Sequence, residues 1–225
     1  MRQISKKYKF AVIATDVVIF ALHGKELKVL LIKMKKSPFT GRWAAPGGLI
    51  QPKETTDQAA RRHLESKTGV KNVYLEQLYT FSRLDRDPFG RVVSVAYFAL
   101  LPNVEGNLKT TKHYSDIGWF SIQKFPQLAY DHKEIIQAAL ERLRAKLEYT
   151  NVIYSLLPKK FTLGRLQEVY EIILGRKMDK RNFRKKFLAL GLIRKTKEVS
   201  VGLQRRPARL YEFVSNKPVN LKRFF

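Results

Sequence analysis

Hydrophobic positions recur along the chain with a period of two in some stretches and near 3.6 in others, and the changes of period mark the elements. Lys9–Leu22 is dense in Val, Ile and Phe and predicts a strand, although Thr15 and Asp16 interrupt its apolar run. Gly24 and Lys25 mark a turn, and Glu26–Met34 predicts a second strand through Leu27, Val29, Leu30, Leu31 and Ile32. Lys35–Pro46 reads as a loop that Gly47 and Gly48 close. Thr55–Thr68 predicts a helix, with Thr55 as N-cap, Ala59, Ala60 and Leu64 as its apolar stripe, and Gly69 suited to a left-handed C-terminal position. Val73–Leu84 and Val92–Leu101 predict strands joined by the turn Asp85–Gly90, and Ile117–Phe120 a short strand. Asp131–Glu148 has Ile135, Ile136, Ala139, Leu140, Leu143 and Leu147 at helical spacing.

The pattern changes near Tyr149–Tyr154. Thr162–Leu174 predicts a helix capped by Thr162, with Leu163, Leu166, Val169, Tyr170 and Ile173 on one face. Lys180–Leu190 predicts another, capped by Asp179, with Phe183, Phe187 and Leu190 inward and Gly191 at its end. Leu192–Lys197 and Arg209–Phe213 predict a hairpin whose tip is the basic segment Gly202–Arg206. The organisation expected is therefore an α+β chain of two domains, residues 1–149 and 150–225.

Composition narrows the function. With 44% hydrophobic residues the 225-residue chain has material for a real core, so disorder is not expected. No apolar run reaches membrane-spanning length, and Phe10–Leu22 lacks the flanks of a signal peptide, so no membrane partner is expected. The absence of cysteine removes disulfides and thiolate metal sites and fits a cytoplasmic protein. The net charge of +25 calls for a polyanionic partner. Residues 1–149 carry 25 Lys and Arg against 14 Asp and Glu, a net of +11, whereas residues 150–225 carry 19 against 5, a net of +14 in half the length. The C-terminal third is therefore the better candidate for that contact.

Gly48, Glu54, Arg62, Leu64, Gly69 and Val70 fall at the spacing of the Nudix motif, and the chain to about residue 148 resembles a Nudix α/β/α sandwich. In catalytic members the motif's helix presents three glutamates that hold divalent cations. Here those positions are His63, Ser66 and Lys67. Serine is a poor ligand for a hard cation, histidine prefers softer metals, and a lysine repels the ion. Glu65 is one residue out of place, which turns it about 100° around the helix. No metal, no cofactor and no hydrolase chemistry are therefore expected, the alternative being a Nudix hydrolase of a nucleoside diphosphate derivative. The segment Ser82–Pro88 followed by Gly90–Ser94, after so degenerate a motif, resembles NrtR-type regulators, in which a Nudix domain senses a metabolite and a winged helix binds an operator. The resemblance implies ADP-ribose as effector, or L-arabinose in the AraR-like branch. Met178–Lys186 resembles that second branch more, so a neutral sugar is the expected effector and a nucleotide-sugar the other reading. Arg42, Trp43, Arg62, Asp85 and Arg91 are the candidate ligand residues by motif placement.

With Phe183, Phe187 and Leu190 inward, Lys180, Arg181, Asn182, Arg184 and Lys185 project outward, the residue types that major-groove reading requires. Arg205, Arg206 and Arg209 lie on the candidate wing. The expected protein is an effector-responsive transcription regulator on double-stranded DNA, acting as a homodimer because paired winged helices read paired half-sites.

Overall fold

The computed structural model describes residues 10–69, 71–104, 108, 113–202 and 205–221, so Lys9 and Val70 lie outside the described residues, as do the side chains of Arg205 and Arg206. A mixed sheet organises the first part of the chain. Strand β1 (Val12–His23) pairs in parallel with β6 (Val92–Leu101), and antiparallel with β2 (Glu26–Met34). On the outer sides, β7 (Tyr114–Ser121) and β3 (Trp43–Ala44) pair with β2, β4 (Gly47–Leu49) with β1, and β5 (Tyr74–Phe81) with β6.

Alternation along the two central strands feeds two separate cores. Val17, Ile19, Ala21, Tyr97, Ala99 and Leu101 pack with Ala60 and Leu64 of α1 (Thr56–Thr68). Val18, Phe20, Leu22, Ala96, Phe98 and Leu100 pack with Ile135, Ile136, Ala139, Leu143 and Leu147 of α2 (His132–Tyr149). This is the expected sandwich. Helix α1 begins as predicted at Thr55, with a reciprocal partner in Gln58: Gln58 N donates to Thr55 Oγ1 at 3.2 Å and Thr55 N to Gln58 Oε1 at 2.8 Å. Gly69 ends it at φ 70°.

The expected loop Lys35–Pro46 departs from the sequence reading. It contains β3, because Ile32 pairs with Ala44 and Lys33 with Trp43, and β4 follows where Asp16 pairs with Gly47. Both are too short to show a period of their own and are strands only through the partners they bond to. The Ile117–Phe120 strand lengthens for the same reason, since Met34 reaches Tyr114 and Lys28 reaches Ser121.

The second part of the chain is built on the same hydrophobic mass as α2. A 3-10 turn at Val152–Leu156 buries Val152, Ile153 and Leu156. Next come β8 (Phe161–Thr162), α3 (Leu163–Leu174), α4 (Lys180–Ala189), β9 (Ile193–Gly202) and β10 (Arg205–Phe213), with the strands in the order β8-β10-β9. Thr162 and Asp179 cap α3 and α4 as predicted. Tyr170 meets Phe183 and Phe187 edge-on at 5.3 and 5.8 Å, locking the two helices together. Helix α2 ends at Tyr149, and the apolar core runs continuously past it into the second part of the chain. Arg144 Nε on α2 donates to the Ile173 carbonyl at 2.8 Å, and Arg165 on α3 donates to the Gly24 carbonyl at 3.2 Å. The C-terminal segment returns to the junction, where Val219 N donates to Asn151 Oδ1 at 2.7 Å and Leu221 N to the Tyr149 carbonyl at 2.7 Å.

A shared core predicts shared melting. Leu156→Ala, in the junction, is expected to cost about 2–5 kcal/mol. Urea unfolding followed by tryptophan fluorescence, which reports Trp43 and Trp119 in the sheet, should shift together with far-UV circular dichroism, which also reports α3 and α4. Two separated transitions would show that the halves are energetically independent.

Candidate functional site

A cavity of about 440 Å³ opens beside β1. Its walls are Val12, Ala14 and Asp16 of β1, the Ala44–Leu49 segment, the turn from Arg86 to Arg91, and Tyr114, Tyr130 and His132. Gly47 and Gly48 allow that segment to lie against its neighbours. A Cβ on Gly47 would sit 2.3 Å from Asp16 Oδ1, and one on Gly48, at φ 155°, would sit 2.9 Å from His63 Cε1.

Asp16, Arg86 and His132 of the cavity wall belong to a buried cluster of polar and charged groups that the sheet brings together. Arg86 donates to both oxygens of Asp131, at 2.9 and 2.8 Å, and to Asp16 Oδ2 at 3.2 Å. Ser94 Oγ donates to the same Asp16 oxygen at 2.6 Å. Ala45 N donates to His132 Nδ1 at 2.9 Å, which leaves the ring N–H on Nε2, 3.5 Å from Asp16 Oδ1. Burial opposes the Arg86 charge, but Asp131 and Asp16 outweigh it and hold its pKa above the ordinary value. The cluster sets two carboxylates against one guanidinium, and Asp16 and Arg86 bring it to the cavity wall.

The motif helix does not offer a divalent-ion site. Glu54 is consumed by Arg62, whose Nε and Nη2 donate to its two oxygens. That pairing holds the Glu54 carboxyl down at about 2. His63 is buried, and its Nε2 has no hydrogen-bond partner among the described residues. Ser66 Oγ donates to the His63 carbonyl at 3.2 Å. Lys67 Nζ donates to the Tyr114 hydroxyl at 3.1 Å and lies 4.2 Å from the centre of that ring. Two basic side chains and a serine stand where oxygen anions would be needed, so this donor set does not fit magnesium.

Of the candidate ligand residues, only Arg91 lines the cavity, with its guanidinium tied to the Ser82 and Arg83 carbonyls at 2.7 and 3.2 Å. Asp85 is exposed and paired with Arg83 at 2.8 Å, while its neighbours Arg86 and Asp87 form the wall. Arg42 is exposed beside Phe39, and Trp43 packs edge-on against Phe120 at 4.5 Å; neither lines the cavity. Arg62 is held by Glu54 and does not line the cavity. Sequence reasoning missed Asp16, Arg86, Asp131 and His132. The available signal was Asp16 itself, a carboxylate inside an apolar strand, where an unpaired charge is not tolerated.

The basic helix is arranged as its periodicity indicates. Phe183 and Phe187 are buried, Lys180, Arg181, Asn182 and Lys185 are exposed, and Arg184 is half-buried. Arg209 is exposed on β10. Glu171 fixes the turn that sets the angle of α4: its Oε1 accepts from Gln167 and from Met178 N, each at 3.0 Å, and its Oε2 accepts from Lys177 at 2.9 Å.

Residues 12–139 match the NUDIX domain, and residues 153–213 match the NrtR DNA-binding winged helix domain. The ADPR-responsive transcriptional repressor NtrR of Acinetobacter baylyi is 35% identical over 210 residues, covering 92% of this chain and 83% of that protein. Shewanella oneidensis NrtR, in its crystal structure with a 27mer DNA, matches with a TM-score of 0.76 at 34% identity over 89% of this chain and 93% of that one. The NUDIX domain of the Shewanella protein complexed with ADP ribose matches with a TM-score of 0.57 at 35% identity, over 63% of this chain and 94% of that one.

His63 yields a prediction of pH dependence. Burial pushes its ring down to about 4 from the ordinary 6.5, with the Arg62 and Lys67 charges adding to the effect. Its unfolded form therefore takes up a proton first as the pH falls. Its contribution to stability is intact above about pH 6.5 and is lost as the pH drops towards 4. His63→Gln should flatten the fall of the urea midpoint between these limits, and a variant curve parallel to that of the parent would assign the acid sensitivity to other groups.

Proposed function

The chain belongs to the NrtR family of regulators, in which a Nudix domain is joined to a DNA-binding winged helix, and on that premise we propose that it is a transcription regulator whose cavity binds ADP-ribose and whose α4 reads operator DNA. The observation that carries the reading is the exposed cationic face of α4 on a rigid turn, within a chain similar over most of its length to a protein solved on DNA. Residues 1–149 are the sensing domain and residues 150–225 the reader. Arg181, Asn182 and Lys185 are the candidates for base edges, and Lys180, Arg184, Arg205, Arg206 and Arg209 those for phosphates. The protein works as a homodimer on paired half-sites, in the cytoplasm with its operator.

Support for ADP-ribose comes from the ligands of two relatives and from the size and mixed polarity of the cavity. The stretch that suggested L-arabinose, Met178–Lys186, runs through the turn before α4 and the reading helix itself, away from the cavity walls, and so says nothing about the effector. The donor set around Glu54 supports a sensor without hydrolase activity. Helix α2 offers a route for the signal: Asp131 and His132 stand at its cavity end, and Arg144 grips the end of α3. ADP-ribose shifts the DNA-competent population only through unequal affinity for the two states.

The test is fluorescence anisotropy with duplexes from the protein's own promoter region. Binding should weaken steeply with salt, Lys180→Ala should lower the log–log salt slope by about one, and Arg181→Ala should weaken binding about tenfold or more. ADP-ribose should change the affinity, L-arabinose should not, and light scattering should give the mass of a dimer. Binding indifferent to salt, or duplex binding indifferent to ADP-ribose, would remove the assignment.

A further inference from the structure

We infer that Lys67 and Tyr114 form a resident cationic donor for the effector's pyrophosphate, so that this chain binds ADP-ribose without any divalent ion. The inference rests on the reading of the cavity as an ADP-ribose site. In a catalytic Nudix site the negative charge of the phosphates is met by metal ions held on acidic side chains. Here the position of one of those acids carries an ammonium, and the structure shows where that ammonium goes. Lys67 is buried, its Nζ reaches the Tyr114 hydroxyl oxygen at 3.1 Å, and Tyr114 is part of the cavity wall.

The direction of that hydrogen bond matters. An ammonium has only protons to give, so the phenol oxygen accepts, and its own proton remains for another acceptor. Among the described residues no protein group takes that proton: Asp16, the nearby carboxylate, receives Arg86 and Ser94, with His132 facing its other oxygen. A phenol polarised by a cation is a strong donor to a phosphate oxygen. Burial raises the Tyr114 pKa, so the group remains a donor rather than a phenolate. Burial also brings Lys67 down to about 8, which leaves it mostly charged at neutral pH, and a bound anion would hold its proton more firmly. Arg91 also lines the cavity, as do Asp16 and Arg86 of the buried ion-pair cluster, so cationic and anionic groups share its wall. A ligand with an internal phosphate pair and hydroxyl-rich ends matches that mixed wall.

The experiment is calorimetric titration of the full chain with ADP-ribose, in excess EDTA and again in magnesium. Equal affinity in the two buffers is expected, and Tyr114→Phe, which removes one oxygen and leaves the ring, should weaken binding in EDTA about tenfold. Lys67→Met should do the same or more, with the Tyr114→Phe result deciding if the lysine variant fails to fold. Binding that appears only with magnesium would overturn the inference, as would metal-free binding that Tyr114→Phe leaves unchanged. No binding of ADP-ribose in either buffer would overturn the effector assignment itself, and this inference with it.

Discussion

The parallel pairing of Val12–His23 with Val92–Leu101 places both strands under cover on both faces, and this double burial constrains everything attached to them. One set of alternate residues must be met by α1 and the other by α2, because an uncovered face would leave large apolar side chains in water. The same pairing carries Asp16 into the interior, in register with Ala96 and close to Ser94. A carboxylate in that position requires partners. Arg86, Ser94 and the His132 ring supply them, and Asp131 completes the pairing of Arg86.

Removing one member of such a cluster strands the others, typically at about 3–5 kcal/mol, so the cluster is a rigid feature rather than an adaptable one. Its rigidity matters for sensing. A ligand beside a fixed cluster can act on its neighbours only by biasing elements that already have more than one arrangement. Helix α2 begins at this cluster and ends in the core beneath the winged helix. A continuous core leaves little room for free swivelling of the winged helix against the sheet within one chain.

Electrostatics divides the molecule into regions with separate tasks. Surplus positive charge is concentrated on the exposed face of α4 and the strands behind it, where phosphates can approach. On the motif helix the substitutions run the same way: one arginine neutralises the last acid, and a lysine occupies the place of another.

Local chemistry was legible from residue order alone. The caps at Thr55, Thr162 and Asp179, the left-handed Gly69 and the inward aromatics of α4 each depend on residues a few positions apart. The cavity was not, because its members come from six segments and meet only when strands pair: Arg86 lies 70 residues from Asp16 and 45 from Asp131. The turn around Asp85 pointed to the right place, but which of its side chains faced inward depended on burial, and burial exposed Asp85 and enclosed Arg86. Short strands such as Trp43–Ala44 were hidden for the same reason, since their identity comes from the partner strand and not from their own two residues. Periodicity and capping act over one turn of chain, whereas a buried charge is decided by which distant segment arrives to neutralise it.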